Sequence, residues 1–240
     1  MIRAEEVVGS IYAALEREPR VNLHSHPVVV TFADGVVTVS GEVDGIAAKK
    51  ITLAIAASLP PVSGVVDRLR VERSEQMEDG AIRDHICNAL LSESALATYS
   101  LRALVKGELE AVRSTPDQNR VLDVEVSNGV VTLNGTAESL CHKRLVGVLA
   151  WWVPGSRDVI NGLEVSPPMQ DSDGELTDAL RMVLDKDPLV MASQIRPHSH
   201  DRVVTLEGAV ATENSKMAAE ADAWYLFGVN RVVNNLAVTG

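Results

Sequence analysis

One sequence motif occurs three times along the chain. Residues 35–41 read GVVTVSG, residues 129–135 read GVVTLNG, and residues 202–208 read RVVTLEG. The spacing between copies is constant, 94 positions from the first copy to the second and 73 from the second to the third, and it holds through Val71, Val165 and Val238. A fixed register over a whole supersecondary unit predicts three copies of one small domain.

Each copy has the same predicted order of elements. Apolar residues at helical spacing predict a first helix, which Pro19 ends in the first copy and Pro188 ends in the third. Two β-branched runs around a short turn predict a hairpin, and a second helix and a final strand follow. The sequence therefore predicts an α+β protein of three tandem αββαβ domains, each a three-stranded mixed sheet covered on one face by two helices. The predicted bounds are 1–73, 78–166 and 172–240.

Glycine recurs at two hairpin positions. The first follows Asp34 or Asn128 and predicts a tight turn with positive φ. In the third copy Arg202 takes this place, so either Asp201 adopts the left-handed conformation or the turn differs. The second position ends a strand, where a bend or a close backbone approach usually explains glycine. The structural glycines predicted in this way are Gly35, Gly41, Gly129, Gly135 and Gly208.

The second copy carries an insertion of about nineteen residues between its first helix and its hairpin. Leu101, Leu104, Val105, Leu109 and Val112 have helical spacing, which predicts an extra short helix within residues 97–115. An insertion in one copy alone is either a functional or inter-domain element or a decoration that fills space between copies.

The order of elements, the DGVVTVSG stretch and the closing VVxxLxV pattern resemble the BON family, the bacterial osmotic-shock and nodulation domains. The resemblance covers most of the chain except the insertion and the linker at 166–173. It implies a domain that binds rather than catalyses, since the family motif consists of structural glycines and valines. Members are commonly linked to phospholipid or membrane-surface binding and to envelope or osmotic-stress proteins.

Composition restricts the classes of partner. The formal net charge of −11 argues against nucleic acid, because phosphate contacts require clustered Lys and Arg, and it weakens long-range attraction to anionic lipid. The N-terminus shows no signal-peptide pattern, and no apolar stretch reaches the roughly 20 residues that span a bilayer. The sequence therefore predicts a cytoplasmic protein, or a periplasmic one if a leader was removed.

The second helices carry the candidate binding residues. Each of these helices has an apolar stripe that is predicted to face the core, and Trp151 and Trp224 lie outside it. They either remain exposed as interfacial anchors or pack against a neighbouring copy. Trp152 and Tyr225 lie near the centre of the stripe and are predicted to fill cores. Lysine recurs at one helical position, and Arg144 follows it in the second copy; head-group contact and a solvated helix face both explain this pattern. The equivalent lysines are Lys49, Lys143 and Lys216.

No catalytic or metal-binding constellation is predicted. The HSH pairs at 24–26 and 198–200 suggest metal ligands, but they occupy different positions of the repeat, and neither has a third ligand at suitable spacing. Cys87 and Cys141 match no metal spacing and are predicted to be free thiols. We therefore expect no cofactor, no metal and no enzymatic activity.

Two classes of function remain after these exclusions. The first is phospholipid or membrane-surface binding through Trp151, Trp224, Lys143, Arg144 and Lys216, with Lys49 as the equivalent residue of the first copy. The second is a multivalent scaffold that binds a protein partner or associates with itself, using three similar surfaces or an unpaired sheet edge. A small-ligand or cation sensor between copies is a third alternative.

Overall fold

The computed structural model describes residues 3–117 and 119–240, which form two compact units. The first unit comprises Met1–Glu72 and the second Arg73–Gly240. The first unit holds one copy of the repeat, and the second holds the other two. The α+β class and the three repeated units are therefore confirmed.

The first unit has the predicted order of elements. They are α1 (Ala4–Leu15), β1 (Val28–Ala33), β2 (Val36–Val43), α2 (Ile46–Ala57) and β3 (Gly64–Val71). In the sheet, β1 pairs antiparallel with β2, and β3 pairs parallel with β2, which is the mixed sheet that the sequence predicts. Alternate valines of β1 and β2 are buried, and Val7, Ile11 and Leu15 of α1 supply the apolar stripe of the helix.

The second unit joins the remaining copies. The second copy contains α3 (Asp79–Ser92), β4 (Ser100–Val105), β5 (Glu108–Arg113), β6 (Val121–Ser127), β7 (Val130–Ala137), α4 (Leu140–Trp151), β8 (Asp158–Asn161) and β9 (Glu164–Val165). The third contains α5 (Asp173–Leu184), β10 (Ile195–His200), β11 (Val203–Val210), α6 (Glu213–Tyr225) and β12 (Arg231–Val238). Helices α4, α5 and α6 contact one another, so the two copies share one helical layer.

The predicted helix within residues 97–115 is wrong, because the insertion forms the hairpin β4–β5. Its turn is Lys106-Gly107, and both residues have positive φ, 52° and 89°. Strand β4 pairs parallel with β6, so the second sheet has the order β5-β4-β6-β7-β8, with β9 also paired to β7. The second copy therefore has a six-stranded sheet instead of the predicted three strands, while the third copy keeps three.

All three repeat hairpins turn through two residues in the left-handed region. Asp34-Gly35 and Asn128-Gly129 do so as predicted, and Asp201-Arg202 does so with φ values of 48° and 61°. The Asp201 alternative is therefore correct, but Arg202 shares the strain. A carboxylate holds this turn, because Asp173 at the start of α5 accepts hydrogen bonds from the amides of Asp201 (2.8 Å) and Arg202 (3.1 Å).

The second copy uses the same device. Asp79 at the start of α3 accepts from the amides of Asn128 and Gly129 at 2.7 and 2.8 Å. The first residue of α1 in the first copy is Ala4, which has no carboxylate, whereas α3 and α5 of the second unit both begin with aspartate. The amide hydrogen bonds, that of Arg202 first, lower the pKa of Asp173 below its usual value.

Replacing Arg202 with glycine is expected to stabilise the second unit by about 0.5 to 1 kcal/mol, because a non-glycine residue in this region carries a steric cost. The lost ion pair to Asp171 offsets little of this gain, since the Arg202 side chain is 49% exposed. Urea denaturation followed by circular dichroism measures the change. A destabilised variant would show that the ion pair outweighs the strain.

Candidate functional site

The junction between the second and third copies brings together positive side chains and an exposed aromatic ring. We call this the junction cluster, formed by Lys143, Arg144, Asp171, Arg202 and Phe227. Lys143 and Arg144 come from the N-terminal half of α4, Asp171 from the linker before α5, Arg202 from the turn before β11, and Phe227 from the loop after α6. Residues from four segments therefore meet at one place within the second unit.

Arg144 is the centre of the cluster. Its side chain is fully buried; its Nε donates to the Phe227 carbonyl at 2.9 Å, and its Nη2 donates to Asp171 at 2.7 Å. The Arg144 Nη1 is buried and makes no hydrogen bond within the described residues. Asp171 also pairs with Arg202 at 3.4 Å. A buried guanidinium with a partner on each of two elements ties the copies together.

Gly228 allows the loop to approach this guanidinium. It has a φ of 92°, and a Cβ there would lie 2.9 Å from the Arg202 Nη1 and 3.2 Å from the Arg144 Nη2. A side chain at this position would therefore push both arginines away and would also be strained.

Phe227 is the exposed part of the cluster. Its side chain is 52% exposed, and the Lys143 ammonium lies 5.2 Å from the ring centroid. Burial lowers the pKa of the half-buried Lys143, and the neighbouring Arg144 lowers it further. The equivalent positions in the other copies are Pro60 and Pro154, so the aromatic ring is specific to the third copy. The residue was not among those predicted, because it follows the last residue of the α6 core stripe.

A polar cavity of about 220 Å³ opens beside the cluster. Its lining includes both arginines of the cluster, three carboxylates and the hydroxyl of Ser172, the N-cap residue of α5 that accepts from the Glu175 amide. The lining residues are Arg144, Asp171, Ser172, Asp173, Leu176, Asp201 and Arg202.

The second copy contacts α6 of the third through Trp151 and Trp152. Trp151 stacks on Tyr225, with ring centroids 5.6 Å apart, and Trp152 donates from Nε1 to Asp222 at 2.9 Å. Trp224 is buried, with 1% exposure, whereas Trp152 and Tyr225 are only half-buried. The core prediction for Trp152 and Tyr225 therefore needs correction, because both side chains make contacts between the second and third copies, with Asp222 and Trp151 respectively.

The lysine of the first copy, Lys49, has a structural role. Lys49 is 4% exposed and bonds the Leu69 carbonyl at 2.9 Å and Asp67 at 3.0 Å. In the other copies the backbone carbonyls of Lys143 and Lys216 accept from Asn161 and Asn234 instead. Buried side chains such as Lys49, Arg144 and Trp224 do not present themselves to a lipid surface in this conformation. Lys143 and Lys216 are partly exposed.

The histidine pairs do not form a shared site. His200 lies with Asp173 and Asp201, with ligand atoms within 4.8 Å of one another, but both Asp173 oxygens already accept turn amides. His26 faces Glu72 at 3.7 Å. Both cysteines are free thiols, Cys87 buried and Cys141 half-buried. Among the described residues, no helix is long and apolar enough to cross a bilayer.

Comparison with known proteins identifies the repeat. The family model of the BON domain matches residues 4–73, 100–167 and 172–240. The second match begins at β4 and leaves out α3. No curated protein matches the chain.

Two solved structures are similar over the whole chain. The C-terminal domain of CdsD, the structural protein of the type III secretion system of Chlamydia trachomatis, is 12% identical, with 100% of both chains covered and a TM-score of 0.25. A second CdsD structure is 13% identical, with 98% of this chain and 92% of that chain covered and the same TM-score of 0.25. A similarity at this level supports no inference about function.

Proposed function

The chain belongs to the BON domain family, and on that premise we propose that it acts by binding, docking on a phospholipid surface through the junction cluster. The exposed ring of Phe227 carries this proposal. An aromatic side chain beside an ammonium group suits the interface of a bilayer, where the ring enters the acyl boundary and the charge faces the head groups. Among the described residues, no other aromatic side chain is as exposed as Phe227.

The charges of the cluster suit short-range contact with phosphate. Lys143 and Arg202 are partly exposed, and Arg144 holds the loop that carries Phe227. Asp171 neutralises part of the positive charge, and the net charge of −11 repels an anionic membrane at long range. We therefore expect binding to depend more on insertion of the ring than on electrostatic attraction.

Phe227→Ala is expected to lower the partition coefficient onto anionic vesicles by about tenfold or more, because burial of a phenylalanine side chain contributes roughly 1.5 to 3 kcal/mol. Co-sedimentation with vesicles of phosphatidylglycerol and phosphatidylcholine at low salt measures the bound fraction. Lys143→Ala is expected to have a smaller effect, since the charge acts at the edge of the contact.

Met217→Ala is the matched control, because Met217 is 60% exposed on α6 of the same copy but lies outside the junction cluster. It removes exposed apolar surface without altering Phe227 and is expected to bind vesicles like the wild type. The proposal fails if the wild-type protein does not sediment with vesicles, or if both variants lose binding equally.

A further inference from the structure

Sheet edges expose unpaired N–H and C=O groups, and proteins usually protect them against unwanted strand pairing. In the first copy, the two-residue turn makes Val29 and Thr31 the residues that exchange hydrogen bonds with β2, so Val28 and Val30 point their backbone groups outwards. The hydroxyl of Tyr12 on α1 donates to the Val28 carbonyl at 3.0 Å and accepts from the Val30 amide at 3.2 Å. A side chain thus occupies this edge.

The corresponding edge of the third copy is protected by proline. By the same register, His198 bonds to β11, and the residues on either side of it point outwards. One of these is Pro197, which has no N–H to offer to a further strand. An incoming strand would lose a hydrogen bond at the middle of β10.

The strand after the second helix of each copy ends its edge in a third way. At one repeated position a side-chain oxygen accepts from the backbone N–H two residues later, at 2.9 Å in the first copy, 3.3 Å in the second and 3.2 Å in the third. These local bonds satisfy a backbone N–H group inside the chain, so that group is not available for pairing with another strand. The acceptors are Asp67, Asn161 and Asn234.

The second copy differs, because the inserted hairpin covers its first edge and creates a new one. Strand β4 pairs with β6, and β5 becomes the outermost strand of the six. The two-residue turn makes Val105 and Glu108 a hydrogen-bonded pair, so Leu109 and Ala111 point their backbone groups away from β4. Within the chain as described, only β4 pairs with β5.

The side chains of β5 indicate which kind of strand this edge accepts. Five of its six residues are exposed, and the register places Glu108 and Glu110 on one face and Leu109 (48% exposed) on the other, beside Leu104. A bulge between Leu101 and Arg102 affects only the far end of the strand. One face of the edge therefore favours positive charge and the other favours apolar side chains.

The same pattern argues against a second copy of this chain. A two-fold axis that pairs the outward groups of Leu109 with those of Ala111 in another copy would place Glu110 opposite Glu110. Like charges directly opposite destabilise a strand pair, and two chains of net charge −11 repel each other.

We propose that the outer edge of β5 binds an extended segment of a partner protein in which basic residues alternate with apolar ones. The segment adds a seventh strand to the sheet of the second copy. Its backbone bonds to Leu109 and Ala111, and its basic side chains lie opposite Glu108 and Glu110. This site is independent of the junction cluster, so failure of vesicle binding leaves it unaffected.

The probe is a fluorescein-labelled peptide of about ten residues that alternates lysine and valine, with an alternating glutamate and valine peptide for comparison. Fluorescence anisotropy with the full-length chain measures both affinities. We expect the basic peptide to bind about tenfold or more tightly than the acidic one, and to slow hydrogen exchange at the amides of Leu109 and Ala111.

Two variants separate strand addition from general attraction to an acidic protein. Ala111→Pro removes an outward N–H, and Glu108→Lys with Glu110→Lys reverses the charge of the edge without removing a backbone donor. Each is expected to weaken binding of the basic peptide by about tenfold. The control makes the same charge change elsewhere, with Glu125→Lys and Glu207→Lys on exposed positions of β6 and β11.

Several outcomes would overturn the proposal. These are equal binding of the two peptides, equal weakening by the edge and control charge variants, and exchange protection that falls outside β5. If the wild type dimerises with increasing concentration and Ala111→Pro abolishes this, the edge binds another molecule of the same protein instead. If Ala111→Pro fails to fold, the charge variants and the pattern of hydrogen exchange still show whether the peptide pairs with β5.

Discussion

Gly135→Ala is expected to lower the free energy of unfolding of the second unit by about 4 kcal/mol. Gly135 has a φ of 115°, a conformation that other residues rarely adopt. A Cβ there would clash with the Val121 carbonyl oxygen and lie 2.8 Å from the carbonyl carbon. Both atoms belong to the backbone of the paired strand, so relief requires β6 and β7 to separate.

Gly9→Ala provides the matched control for this change. Gly9 is exposed within α1, and a Cβ there meets nothing within 4 Å. Its replacement is expected to raise the free energy of unfolding of the first unit by about 0.5 to 1 kcal/mol, because alanine favours helix more than glycine does. Urea denaturation by circular dichroism compares the two variants. A loss below about 1 kcal/mol for Gly135→Ala would show that the strands adjust at little cost.

The same geometry explains why the fold could be predicted from the repeat. At Gly208 in the third copy, a Cβ would likewise clash with a backbone oxygen of the paired segment, that of Gln194. A position where strands approach this closely accepts only glycine, so glycine recurs there in the sequence of every copy. The turn glycine is a second sequence signal of the hairpin. It is absent from the third copy, where Arg202 takes its place and Asp173 of α5 holds the turn by hydrogen bonds.

The inserted hairpin was not predictable from periodicity alone. Leu101, Leu104 and Leu109 fit a helical spacing, but Leu101 is buried while Leu109 is exposed on an edge strand. Short apolar runs fit helix and strand equally well, and the distinguishing signal was the Lys106-Gly107 pair, a turn dipeptide within the proposed helix.

The candidate site was harder to predict than the fold, because helical periodicity describes one face of one helix. The environment of Arg144 depends on how the second and third copies pack, because its side chain donates to the Phe227 carbonyl, and no pattern within a single copy encodes that contact. Phe227 lies outside any periodic segment, so its exposure follows only from the loop that Arg144 holds.

Asp222→Asn is expected to stabilise the second unit by roughly 2 to 4 kcal/mol at pH 8 and by less at pH 5. Asp222 is 1% exposed and accepts from the Trp152 indole at 2.9 Å. Burial raises its pKa to about 8, and the Asp187 carboxylate beside it contributes further. Because a buried carboxylate is costly to ionise, the folded protein holds a proton here that the unfolded chain releases.

The sign of the pH dependence follows from this difference in proton binding. The unfolded group loses its proton near the ordinary aspartate pKa of 3.8 and the folded group near 8, so stability contributed by Asp222 is complete below about pH 4 and is lost as the pH rises to about 8. Asparagine keeps an acceptor for Trp152 and can donate to Asp187, but it cannot ionise. Wild-type stability should therefore fall between pH 5 and pH 8 more steeply than that of the variant, as measured by urea denaturation at each pH. Asp201→Asn is the control, because this side chain is 88% exposed, and it should leave the slope of stability against pH as it is in the wild type. If the wild type and Asp222→Asn give parallel slopes, the Asp222 carboxyl is already ionised in the folded protein.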